Sequence, residues 1–203
     1  AGPDREGLRP DSITVAVIDA DTGATVLVGI PRNLEYVPFP EGSPLLGPWP
    51  NGYDCGHECL ISYLYTYGDQ NPELYPDASA KGTSPGIEAM RDAVEGVLGI
   101  PVPFYALIDM HGFEQLVDAR TKELSVRNQE RTPIGPVTSR EPFGYIEAGT
   151  QHLDGAHALW YARSRFESND FERMLRQRQV QEAILRQFTP ANVLARFQGV
   201  AAA

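Results

Sequence analysis

Arginines and carboxylates recur in this chain at spacings suited to holding an anion. Arg9 and Asp11 stand just before a β-branched run, and Arg32 stands just after the next one. Further on, Arg163 and Arg165 flank a serine, and Asp170, Arg173 and Gln177 follow at helical intervals. Guanidinium groups grip phosphate through paired, charge-assisted hydrogen bonds. The bland alternative is a set of exposed ion pairs, each worth little.

The elements that must position these residues can be read from the apolar pattern. Residues 12–18 and 24–30 are β-branched runs separated by Asp19-Ala20-Asp21-Thr22-Gly23, a turn composition, so they form a hairpin. With the turn centred between Asp21 and Thr22, Asp11 and Arg32 are equidistant from it and share the hairpin's open end, with Arg9 just before it. Residues 170–188 form a helix. At about 100° per residue, Val180, Ile184 and Phe188 share one stripe with Gln177, Arg173 and Asp170. The early part of a core-facing stripe is thus ionisable. Such groups are paired or face a cleft holding an anion, because burying an unpaired charge is costly. Asp170 can alternatively serve as the helix cap. Arg163 and Arg165 point to the same side if that piece is extended.

The remaining pattern is a mixture of strands and helices. Residues 59–67 read as a short helix. Ser84-Pro85 start a helix that ends at Gly99, 101–110 read as an apolar strand, and 111–119 as a helix. Residues 123–147 read as irregular strands and turns, and Asp154 caps a short helix through Ala162. Irregular alternation after an opening hairpin favours a mixed sheet with packed helices. The 203 residues suit one domain, and the formal charge of −10 argues against a general nucleic-acid binder, although residues 163–186 are locally basic. The only two cysteines, Cys55 and Cys59, lie beside His57. No second ligand pair follows at zinc-site spacing, so a local disulfide in an oxidising compartment is the preferred reading over a metal site. No apolar run approaches the roughly 20 residues of a membrane-spanning helix, and both ends look cut, which leaves room for an anchor upstream.

Taken in order, several pieces resemble the LytR–CpsA–Psr family. They are Leu8-Arg9-Pro10-Asp11-Ser12-Ile13, Gly29-Ile30-Pro31-Arg32-Asn33, Leu153-Asp154-Gly155, Tyr161-Ala162-Arg163-Ser164-Arg165 and Asp170-Phe171-Glu172-Arg173 with Arg176-Gln177. The cysteine loop is similar to the actinobacterial branch. One departure stands at Asp118-Ala119, which runs into Arg120-Thr121-Lys122-Glu123 where the family has a Gly-Gly turn.

The resemblance implies an α/β (α+β mixed) domain over residues 1–203, with three layers, a mixed central sheet flanked by helices, and a hydrophobic groove for a lipid. The groove wall is expected from the helix near Ser84, from Leu60, Ile61 and Leu64, and from 102–110. The resemblance further implies transfer of a phosphoglycan from a polyprenyl-pyrophosphate carrier to a hydroxyl of peptidoglycan, with arabinogalactan a candidate polymer. This would take place at the extracellular face of the cell membrane, with Mg2+ as cofactor and a membrane anchor outside this sequence. By position, Asp11 would hold the metal, while Arg9, Arg32, Arg163 and Arg165 would bind pyrophosphate. Asp170, Arg173 and Gln177 would complete or orient the site. Asp170 is a candidate general base, although pairing with Arg173 would lower its basicity. A pyrophosphate hydrolase and a non-catalytic lipid- or glycan-binding module are the alternatives.

Overall fold

The computed structural model describes residues 8–121, 123–136, 139–166 and 168–187. The chain forms two compact units, Ala1–Tyr105 and Ala106–Ala203.

The first unit opens with the expected hairpin. Strands β1 (Ile13–Ile18) and β2 (Thr25–Ile30) pair antiparallel from Ile13↔Ile30 to Ile18↔Thr25. Asp19 builds the turn, because its Oδ1 accepts from the Thr22 amide and hydroxyl, both at 2.7 Å, and from the Asp21 amide at 3.0 Å. Those bonds favour the carboxylate and hold its pKa below the ordinary value. Helix α1 (Leu64–Gln70) then packs on α2 (Pro85–Leu98). The approach is close enough that only glycine fits at the crossing. A Cβ on Gly68 would lie 2.5 Å from the Pro85 carbonyl oxygen, and one on Gly86 would lie 2.5 Å from that of Tyr65. Ser84 caps α2 by accepting from the Ile87 amide, and Gly99 closes it with φ 68°. Ile30, Val37, Leu45, Ile61, Leu64, Ala89, Ala93 and Val94 form the core of this unit. A disulfide joins Cys55 and Cys59 across a sequence separation of 4.

The segment expected as a strand at 101–110 is not one. Residues 101–109 are irregular, and Phe104 is 84% exposed. Pro101 and Pro103 have no amide to give a ladder. The Val102 amide instead donates to Glu95 Oε1 (2.7 Å), and its carbonyl accepts from Arg91 Nε (3.1 Å).

In the second unit, α3 (Met110–Thr121) is followed by β3 (Leu124–Asn128), β4 (Thr132–Ile134), β5 (Gly144–Ile146) and β6 (Gly149–Leu153). Helices α4 (Gly155–Arg163) and α5 (Asp170–Gln187) complete it. Asp154 caps α4 as expected, accepting from the His157 amide at 2.8 Å, while Asp118 Oδ1 accepts from the Gly155 amide at 2.7 Å. Val117, Leu124, Val126, Leu153, Ala158, Tyr161 and Val180 are central to this core. The α+β class is the one expected. Among the described residues the named strands pair as three two-stranded antiparallel ladders, β1–β2, β3–β6 and β4–β5.

Candidate functional site

In the first unit, the hairpin register carries past its last pair and sets Asp11 against Arg32. The two side chains form a partly buried ion pair, with Arg32 Nη1 donating to Asp11 Oδ1. The Arg9 guanidinium lies over the Tyr63 ring, 4.0 Å from its centroid, and its buried Nε has no hydrogen-bond partner among the described residues. One short segment supports both strands' continuations at the open end of the hairpin. Thr66 Oγ1 donates to the Leu8 carbonyl (2.6 Å), the Ser62 amide to the Arg32 carbonyl (3.2 Å), and the Ile61 amide to the Leu34 carbonyl (2.9 Å).

In the second unit, Asp170 accepts from Arg165 Nη2 at 2.7 Å and lies 3.5 Å from Arg173 Nη2. Asp170 is not the helix cap. Asn169 takes that role in a reciprocal arrangement: its side chain accepts from the Glu172 amide (3.0 Å), and Glu172 Oε2 accepts from the Asn169 amide (2.9 Å). Asp170 is thereby left to the arginines. Arg173 is only 3% exposed and Gln177 9%, so the ionisable start of the α5 stripe is buried along with Val180.

Arg163 and Arg165 do not sit on an extended strand. Arg163 ends α4, with its guanidinium carbon 5.6 Å from the Trp160 ring centroid, and Arg165 follows the Ser164 cap. The reason is a residue whose positioning role the sequence pattern did not reveal. Arg176, 8% exposed, donates through Nε to the Tyr161 carbonyl (3.0 Å) and through Nη2 to the Ser164 carbonyl and Ser168 Oγ. It thus satisfies the last carbonyls of α4 and fixes the loop that bears Arg165. Burial pulls its pKa below the usual arginine value, opposed by Tyr161, Glu172 and Glu130. Its place at the edge of the buried stripe was the available signal.

Of the segments expected to wall a groove, Ile61, Leu64, Ala89, Ala93 and Val94 lie inside the first core. Among the described residues no group of three His, Cys, Asp or Glu side chains gathers around a point where a metal could sit. A protein-only cage is therefore absent there. Mg2+ is commonly held by one or two carboxylates together with substrate phosphates, and a partly exposed Asp11 fits that manner of binding.

Comparison with known proteins gives a consistent result. Residues 2–203 match the model of the LytR_cpsA_psr family. The polyisoprenyl-teichoic acid–peptidoglycan teichoic acid transferase TagU of Bacillus cereus is 31% identical over 198 residues, which is 96% of this chain and 52% of that protein. The probable cell wall biosynthesis protein LcpB of Corynebacterium glutamicum is 35% identical over 118 residues, 58% of this chain and 27% of that protein. The chain thus spans between 27% and 52% of the length of these two relatives. Bacillus subtilis TagV shares the fold with a TM-score of 0.66 at 22% identity, covering 99% of this chain and 66% of TagV. YwtF (TagT), solved with bound octaprenyl pyrophosphate lipid, gives 0.58 at 20% identity, covering 95% of this chain and 68% of that one. The chain belongs to the LytR_cpsA_psr family.

Proposed function

We propose that this chain is the phosphotransferase domain of a cell-envelope enzyme that moves a phosphoglycan from a polyprenyl-pyrophosphate carrier to a hydroxyl of peptidoglycan. The observation that carries this reading is the Asp11–Arg32 pair at the open end of the hairpin, two residues from Arg9. A carboxylate of the kind that can take a cation stands there against a guanidinium of the kind that can grip phosphate. The names of the relatives, and the lipid in the YwtF (TagT) structure, support the substrate class.

In this reading the acceptor hydroxyl attacks the phosphorus of the glycan phosphate, the bond to the lipid phosphate breaks, and the hydroxyl proton leaves with the departing lipid phosphate. In the first unit Arg9 and Arg32 neutralise phosphate oxygens, and Asp11 would be the protein ligand to Mg2+. In the second, Arg163 and Arg165 are phosphate ligands, while Arg173 and Gln177 orient Asp170. When bound, Mg2+ offsets charge on the phosphate oxygens. Asp170 pairs with Arg165 and lies near Arg173, so its role here is to orient those arginines. The Cys55–Cys59 disulfide suits an oxidising compartment, in keeping with action on the outer face of the cell membrane. Among the described residues no helix is long and apolar enough to cross a membrane. Arabinogalactan is our candidate for the transferred polymer.

Product analysis with a lipid-linked donor tests the proposal. A transferase yields a phosphodiester-linked glycan only when peptidoglycan is present. Release of free phosphoglycan at the same rate with or without acceptor would mark a hydrolase, and no turnover would mark a binding module.

A further inference from the structure

The β4–β5 hairpin and α4 of the second unit enclose a half-open cleft that the phosphate chemistry does not use. Its cavity volume is about 250 Å³, and Ile134, Phe143, Tyr145, Ala156, His157 and Trp160 line it. Phe143 is 67% exposed and Tyr145 46%, an unusual cost for a surface with no occupant. Phe143 meets Trp160 edge to face, with ring centroids 5.6 Å apart. Each side of the aromatic lining also carries a guanidinium. Arg131 lies 3.6 Å from the centroid of Tyr145 while its Nε donates to Glu147 (3.0 Å), and Arg163 lies 5.6 Å from that of Trp160.

We infer that this cleft binds a single sugar ring of the acceptor glycan; the inference rests on the transferase reading above. Size is the first reason. Pockets for drug-sized ligands span roughly 300–1,000 Å³, so this smaller cleft admits one ring and not an isoprenoid chain or a peptide helix. The second reason is the chemistry of the wall. Three aromatic rings line the cleft and give it apolar surface suited to the C–H face of a pyranose, and His157 and Tyr145 add groups able to hydrogen-bond its hydroxyls. Ile134 and Ala156 supply apolar contact suited to the methyl of an N-acetyl group. Arg163 also joins the two functions physically. It ends α4 one turn beyond Trp160, so a sugar seated on that ring lies next to a proposed phosphate ligand.

The test is isothermal titration with a soluble N-acetylglucosamine–N-acetylmuramic acid disaccharide, using wild type and the double variant Phe143→Leu, Tyr145→Leu. Leucine keeps apolar bulk but removes the rings, and both positions are exposed enough for the fold to survive, which melting temperature checks. Glycan affinity should fall at least tenfold, while affinity for a short polyprenyl pyrophosphate is unchanged. Equal glycan affinity in the two proteins, or none in wild type, would overturn the inference. So would a dimer, seen by sedimentation, that the double variant dissolves, because the patch would then serve a second copy. Trp160→Phe in place of Trp160→Ala guards against misfolding and should retain most of the affinity. Loss of polyprenyl pyrophosphate binding in wild type would instead count against the transferase reading alone.

Discussion

Arg176 and Arg165 lie in one basic stretch, yet their surroundings give them different consequences when lost. Arg176 is buried and donates to two backbone carbonyls and a serine hydroxyl. Arg176→Ala should cost about 3 kcal/mol in urea denaturation, because charge-assisted bonds are lost and buried carbonyls are left unsatisfied. Arg165 pairs with Asp170 on a side chain 45% exposed, and Arg165→Ala should cost less than about 1 kcal/mol. Equal losses for the two would contradict their assigned roles. Tyr63 is a second case, since it contributes a ring face to Arg9. Tyr63→Phe should keep transfer activity and Tyr63→Leu should lower it about threefold or more, a cation–π contact being worth roughly 0.5–2 kcal/mol. Equal activity of the two variants would show that the ring does not position Arg9. Asp154 gives a pH signature. Hydrogen bonds from the His157 amide and ring, and the charge of that ring, hold its carboxyl below the ordinary carboxylate value, against some desolvation. A depressed carboxylate contributes stability that is present above its unfolded pKa and lost as pH falls through the folded one. Asparagine caps comparably without titrating, so the melting-temperature advantage of wild type over Asp154→Asn should shrink below about pH 4. At this scale, Arg173 and Gln177 were legible because polar groups on a buried stripe are a visible conflict. Arg176 was legible only as a residue at the edge of that stripe, since its partners are backbone carbonyls at the end of another helix and no spacing encodes them.

Elements were most legible where a local rule fixed both ends. The Asp19–Gly23 turn centres two runs of matched length, so the pairing that sets Asp11 against Arg32 follows from symmetry. Ser84-Pro85 and Gly99 bound α2 by capping chemistry alone. The stretch 101–109 misled because apolar composition reads as strand, while the two prolines decide the outcome through amides they lack. Glycines in α2 carry the opposite lesson, as helix propensity would replace them. A Cβ on Gly96 would lie 2.0 Å from the Pro38 carbonyl oxygen and 2.6 Å from its carbon, both backbone atoms that cannot rotate aside. Alanine gains about 1 kcal/mol of helix propensity there, and the forced shift costs about 1–3 kcal/mol or more. Gly96→Ala should therefore lower the melting temperature despite its better propensity, and a rise would mean that the loop at Pro38 yields freely.

For the molecule as a whole, a formal charge of −10 coexists with clusters of arginine that would repel one another were Asp11 and Asp170 not among them. Such clusters relax further when an anion arrives, and this separates a ligand-binding arginine from a structural one. A ligand that binds only the native state stabilises it by about 2.7 kcal/mol at a concentration of 100 Kd, which is roughly 5–10 °C in melting temperature for a chain of this size. Wild type should show that shift with Mg2+ and a polyprenyl pyrophosphate analogue. Arg163 touches the Trp160 ring at the surface end of α4, so Arg163→Ala should melt close to wild type without ligand and lose most of the shift with it. Arg32 is partly buried against Asp11, so Arg32→Ala should lose stability without ligand as well as the shift. Arg163→Lys should recover only part of the shift, because an ammonium keeps the charge but not the planar two-point grip on phosphate. An Arg163→Ala protein that melts well below wild type yet keeps the full shift would make Arg163 structural, and the phosphate ligands of the second unit would have to be sought elsewhere.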